Sequence, residues 1–152
     1  MSAWLILLFA LIGLCALFAG LFFVCRRLDN YGFVDAAWSY AFTPLVWFYG
    51  AIGPGWQPRR LAIAVMVTLW STRLGTHLLR RLVSHHPTED GRYRQLRRDW
   101  AGHFEPKMAG FFQLQAGSIV LLGVAFLLPT LNGAPGWNAW EFAGIGLWAV
   151  AL

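Results

Sequence analysis

Charge is scarce in this chain. Asp, Glu, Lys and Arg make up 12% of its 152 residues and hydrophobic residues 58%. A soluble domain carries about a quarter charged residues, and nine Trp with twelve Phe exceed what the core of a small soluble domain holds. Cysteine is almost absent: Cys15 and Cys25 are too far apart on one predicted helix to bridge each other. No Cys-x-x-Cys, no His-Glu-x-x-His and no His/Cys cluster at metal spacing occurs. His85 and His86 are adjacent, a poor chelating geometry on a helix, so no metal is expected. A Gly-rich phosphate loop and a Gly-x-Ser-x-Gly elbow are also missing, which excludes a soluble dinucleotide-binding fold, although a nucleotide could still bind through arginines. No Lys or Arg precedes the first apolar run, and Cys25-Arg26-Arg27 follows it in place of a small-residue cleavage site. That run therefore reads as a retained span and not a signal peptide.

What is present is an all-α polytopic membrane pattern, a single transmembrane domain over residues 1–152. Leu5 to Val24 is uninterrupted and apolar and, at 1.5 Å per residue, covers about 30 Å, one bilayer core. Val34 to Gly50 is a second span that Pro44 is expected to kink. Leu61 to Leu79 is the third and Met108 to Leu128 the fourth. Turns fall at Gly53–Pro58 and at Pro129–Asn138. A fifth apolar helix starts near Trp140 and is still running at Leu152, about 20 Å of rise, too short to cross. The expectation is four complete spans, a truncated fifth and a loop helix. The small residues Ala16 and Gly20 offer a helix-packing face on the first span.

Loop charges set the expected orientation. The loops after the first and third spans carry Arg26, Arg27, Arg80, Arg81, Arg92, Arg94, Arg97, Arg98 and Lys107, against Arg59 and Arg60 on the other side. The positive-inside rule then puts the N-terminus outside, with Trp4, Trp56, Trp137 and Trp140 at the outer interface. The net charge of +5 is mostly this asymmetry and calls for no nucleic-acid partner.

Three segments carry candidate chemistry. Trp70, Arg73, His77, Arg80 and Arg81 fall on one helical stripe about 100° wide. Arg and His are costly in hydrocarbon, so such a stripe either faces a polar site or marks the helix end, where the side chains snorkel outward. Asp35 opens the second span. It either serves the helix N-terminus or faces inward to pair with Arg73 or His77, an arrangement suited to proton donation or to holding a polar ligand. In the long loop, Thr88 is a plausible N-cap, with Glu89 and Asp90 in the first turn. Tyr93, Leu96, Trp100 and Phe104 then line one face of an amphipathic helix at the cytoplasmic interface, and Arg92, Arg94, Arg97 and Arg98 either dock on headgroups or clamp a phosphate.

Four ordered motifs carry a resemblance: Asn30-x-Gly32-x-Val34-Asp35-x-x-Trp38; Trp70-x-x-Arg73-Leu74-x-x-His77-Leu78-x-x-Arg81; Glu89-Asp90-x-Arg92-Tyr93-x-x-Leu96-Arg97-x-x-Trp100; and Phe111-Phe112-x-x-Gln115. Together they resemble bacterial membrane proteins related to steroid 5-alpha-reductase, a family largely of unassigned function. The resemblance covers nearly the whole chain and implies the N-terminal half of a longer enzyme. The C-terminal half of that family carries the motif associated with NADPH in the reductases and with S-adenosylmethionine in the isoprenylcysteine methyltransferases, and no such motif occurs here. By resemblance the chain belongs to an NADPH-dependent reductase of carbon–carbon double bonds in a lipid-soluble, steroid- or isoprenoid-like substrate. In that reading Asp35, Arg73 and His77 are catalytic, Asp90, Arg92, Tyr93 and Arg97 bind cofactor, and Trp38, Trp70 and Gln115 contact substrate. The alternatives are a membrane methyltransferase of the isoprenylcysteine type, a non-catalytic membrane subunit or a transporter.

Overall fold

The computed structural model describes residues 2–85 and 88–152. His86 of the histidine pair and Pro87 of the long loop lie outside them. Among the described residues there are six helices and no strand: α1 (Ala3–Arg27), α2 (Phe33–Ile52), α3 (Gln57–His85), α4 (Gly91–Asp99), α5 (Phe104–Leu131) and α6 (Ala139–Ala151). Three of them, α1, α3 and α5, are long and apolar enough to cross a membrane, as in an integral membrane protein. Each helix outruns its apolar stretch. The flanking polar residues can continue the i to i−4 ladder while their side chains reach water, so helix length is not limited by hydropathy. With 29 residues, α3 spans about 43 Å, well beyond a hydrocarbon core of about 30 Å.

The central helix is α2, which packs against α1, α3 and α5. It buries Val34, Phe42, Leu45, Val46 and Tyr49. It runs unbroken through Pro44, whose side of the helix is exposed. The two flanking interfaces differ in chemistry. Between α1 and α5 the contact is apolar: Ile6, Ala10, Leu14, Phe18 and Phe22, four residues apart, form one buried ridge against Phe112, Ala116 and Ile119. Ala16 and Gly20 lie on the opposite, exposed side of α1, so the expected small-residue packing face is unused among the described residues. Bulky side chains fill this interface instead.

The α2–α3 interface is a polar ladder. Ser71 donates to the Ser39 carbonyl (2.6 Å) and accepts from Thr43 (3.0 Å). The Tyr40 hydroxyl meets Thr76 (2.8 Å), and Trp47 Nε1 donates to Thr68 (3.0 Å). Such bonds join helices where apolar burial gives little drive, because lipid is as apolar as Leu. Gly75 makes the close approach possible: a Cβ there would lie 2.9 Å from the Tyr40 ring.

At the α2–α3 turn, two arginines satisfy backbone groups. Arg60 donates to the Gly50 and Gly53 carbonyls (2.7 and 2.8 Å), orphan acceptors at the C-terminal end of α2. Arg59 is buried, 3% exposed. It donates to the carbonyls of Asn132, Ala134 and Gly136 and is bonded to the Glu141 carboxylate. Gly53 and Gly55 run against the Thr130 carbonyl, where an added Cβ would sit 2.6 and 2.4 Å away. Glu141 also closes a capping box with Asn138 at the start of α6, so one guanidinium organises the whole α5–α6 connection. Arg59→Ala is expected to lower stability by about 3 kcal/mol, through three lost carbonyl partners and a carboxylate left without its cation. Unfolding in detergent, with Arg94→Ala as an exposed control, measures this; a loss no larger than the control's rejects the role.

Candidate functional site

The four motifs converge on one end of the bundle. Asn30 Oδ1 accepts the Gly32 amide (3.0 Å), closing the turn into α2. Gly32 lets α3 come close, since a Cβ there would meet Leu82 at 2.9 Å. Glu89, nearly buried, accepts the Tyr31 amide (2.9 Å) and Arg97 Nε (2.8 Å). Arg97 also reaches Asp29 (2.6 Å) and lies over the Tyr31 and Phe104 rings. Tyr31 belongs in turn to an aromatic cluster with Phe22, Phe104 and Phe112. This seam ties the α1–α2 turn to α4 and to the start of α5.

The cap of α4 is Asp90, not Thr88. Its carboxylate accepts the Arg92 amide (2.9 Å) and pairs with Arg81 of α3 (3.0 Å). Thr88 cannot serve because Glu89 after it turns inward, so the helix begins only at Gly91. The bond from the Arg92 amide, aided by Arg92 and Arg81, holds the Asp90 carboxyl below the usual range. The contribution of this cap is present at neutral pH and is lost as pH falls through that lowered value. Phe104, expected on the loop helix, opens α5 instead.

Asp35 sits at the centre. Arg92 Nη2 donates to Oδ2 (2.6 Å) and the Tyr93 hydroxyl to Oδ1 (2.9 Å). Tyr93 is buried; desolvation and the Asp35 charge push its phenol up, so it remains a neutral donor through the physiological range. Asp35 likewise raises Arg92. The expected partners of Asp35, Arg73 and His77, are both exposed on α3 and bond to no carboxylate among the described residues. The stripe is wide enough to split. Trp70 and Arg81 lie within about 20° of each other at one edge; Trp70 turns inward to Phe42, and Arg81, itself exposed, reaches Asp90. Arg73, His77 and Arg80 turn outward.

Two cavities meet at Asp35. One, about 210 Å³, is lined by Arg81, Glu89, Asp90, Arg92 and Arg94 on the α4 side. The other, about 300 Å³, opens among α2, α3 and α5, with Trp38, Ser39, Leu74 and Gln115 in its wall. Asp35, Leu78 and Arg92 line both. Of the sequence candidates, Asp35, Arg92, Trp38 and Gln115 are brought together, and Trp38 Nε1 is oriented by Ser118 (2.9 Å). Trp70 packs on Phe42 and lines neither cavity. Arg97 is held by its two carboxylates, away from both cavities. The binding roles of Glu89, Asp29 and Ser118 went unread; the Glu89–Arg97 spacing within one loop was a usable signal, whereas Asp29 and Ser118 had none.

If Asp35 is what docks α4, removing either of its donors should loosen that helix. Tyr93→Phe is expected to lower amide-exchange protection across α4 by about 1 kcal/mol, and Asp35→Asn by more, since the ion pair is lost too. Exchange measured residue by residue tests this, and unchanged α4 protection in Asp35→Asn rules the docking role out.

Comparison with curated proteins and with solved structures found no match. A family model described as protein of unknown function (DUF1295) matches residues 21–152. That stretch contains all four motifs and every residue around both cavities, so the chain belongs to this steroid 5-alpha-reductase-like family.

Proposed function

We propose that the chain serves a membrane-embedded, NADPH-dependent reductase acting on an activated carbon–carbon double bond of a lipid-soluble substrate. One observation carries the reading: a polar cavity rimmed by arginines and carboxylates and a cavity among α2, α3 and α5 share a wall made of Asp35, Arg92 and Leu78. A reductase of this kind needs a water-soluble donor and a lipid-soluble acceptor brought together at one point. The Arg92 guanidinium can polarise a substrate oxygen conjugated to the double bond, and Asp35 keeps Arg92 in place. Trp38 and Gln115 would contact the substrate. The candidate catalytic residues thus narrow to Asp35 with Arg92, because Arg73 and His77 face away.

NADPH, when bound, supplies the hydride. The described residues fit part of it. Arg81, Arg92 and Arg94 surround space for one phosphate or ring, but Asp90 and Asp35 in the same wall already answer Arg81 and Arg92 and leave only Arg94 without a carboxylate; the volume of about 210 Å³ is below the range of roughly 300–1,000 Å³ usual for a whole ligand. Arg97 does not fit as a phosphate ligand while Glu89 and Asp29 hold it. The 152 residues alone are expected to bind NADPH weakly or not at all, so the test is a titration of NADPH and S-adenosylmethionine against the membrane-reconstituted full-length enzyme that the resemblance implies. NADPH binding is expected, weakened by roughly 1–3 kcal/mol in Arg92→Ala. Binding of S-adenosylmethionine alone moves the assignment to a methyltransferase, and binding of neither removes the enzyme reading.

In the same reading α2 also crosses as the second of four complete spans, α6 begins a fifth, and the α4 end lies in the cytoplasm of a bacterial cell, with the N-terminus outside. The loop charges support this. A reporter fused after Arg98 should behave as cytoplasmic and one after Gly133 as external; the reverse at both sites overturns the orientation.

A further inference from the structure

We propose that the open face of α3 binds the phosphate of an anionic membrane lipid. Arg73, His77 and Arg80, with Thr72 and Thr76, line an open groove of about 550 Å³ that no carboxylate enters. Most other arginines of the chain are answered within it: Arg26, Arg81, Arg92 and Arg97 by carboxylates, Arg59 and Arg60 by carbonyls. Arg73 and Arg80 form no ion pair among the described residues. Arg27, Arg94 and Arg98 share that condition, but they sit at helix ends and in the polar segment, where water serves them. Arg73 is set inside the apolar run that starts at Leu61.

Depth decides what can answer it. Leu78 shares its cavity with Asp35 at the start of α2, and Arg73 is five residues deeper, about 7.5 Å at 1.5 Å per residue. A lone guanidinium at that level is costly, and its side chain can extend toward the headgroups. Arg80, two turns on along the same face, stands at headgroup level with His77 between them. The face is uncovered by any described helix, and its two guanidinium groups meet no carboxylate among the described residues, so the group that complements it on a membrane helix is a lipid phosphate, which the arginine forks can hold bidentately. The proposal requires only that α3 spans the membrane and is independent of the reductase reading.

The test is native mass spectrometry of the full chain released from nanodiscs of mixed dioleoyl phosphatidylglycerol and phosphatidylcholine. Phosphatidylglycerol should be retained in preference, and R73Q/R80Q should reduce that preference by roughly fivefold for each arginine removed. R27Q/R98Q should retain it, and excess inorganic phosphate should not displace the lipid. Equal retention of the two lipids, a preference that survives R73Q/R80Q, equal loss in R27Q/R98Q, or displacement by phosphate overturns the proposal. Both arginines are exposed, so helicity should persist in the double variant. If it does not, R73K/R80K keeps charge without the fork, and an undiminished preference there is equally fatal.

Discussion

The carboxylate of Asp35 is the contact on which the arrangement of this end of the molecule depends. It lies at the start of the most buried helix and takes two donors from a short helix that is distant in the chain. A nine-residue helix is marginal in water, so α4 owes its place to such contacts and not to propensity. The Glu89–Arg97–Asp29 seam holds it on a second side. With both in place, the wall between the two cavities exists; without them neither cavity has a boundary on the α4 side.

The bundle beneath is held by two different kinds of contact. The α1–α5 face relies on interlocked bulky side chains, which fix distance but tolerate sliding. The α2–α3 face relies on hydroxyl-to-hydroxyl and hydroxyl-to-carbonyl bonds at set heights, and these fix register. Asp35 on α2 and Leu78 on α3 therefore keep their relative level, which the shared cavity wall requires. Arg59 and Arg60 do comparable work at the far end by occupying carbonyls that the Gly- and Pro-rich turns leave open.

Much of this was legible beforehand, and the failures have physical causes. The three helices long enough to cross a membrane were visible because apolar length is a direct requirement of the bilayer. The motifs singled out Asp35, Arg92 and Tyr93, but as separate site residues and not as partners of one another. The partner of Asp35 was not legible. A stripe calculated at a uniform angle treats a wide band of residues as one face, whereas here the neighbouring helices cover only one edge of it. Trp70 went inward, Arg81 found Asp90 at the surface, Arg73 and His77 turned away, and no property of a single helix says where its neighbours stop. The cap moved from Thr88 to Asp90 for a related reason: Glu89 was recruited by Tyr31 and Arg97, contacts that lie far away in sequence. Arg59 and Arg60 read as topological charges, yet their main bonds are to backbone.

The α5–α6 connection has a consequence for assembly. None of the residues of α6 is buried, yet its first turn is pinned through Glu141 to a guanidinium embedded in the neighbouring turn. The direction in which this helix departs is therefore decided by polar contacts at its root, before any of its apolar sides has met a surface. Aim and adhesion are separated: the faces of α6 can change to suit whatever they meet in the bilayer without altering the angle at which the helix is presented.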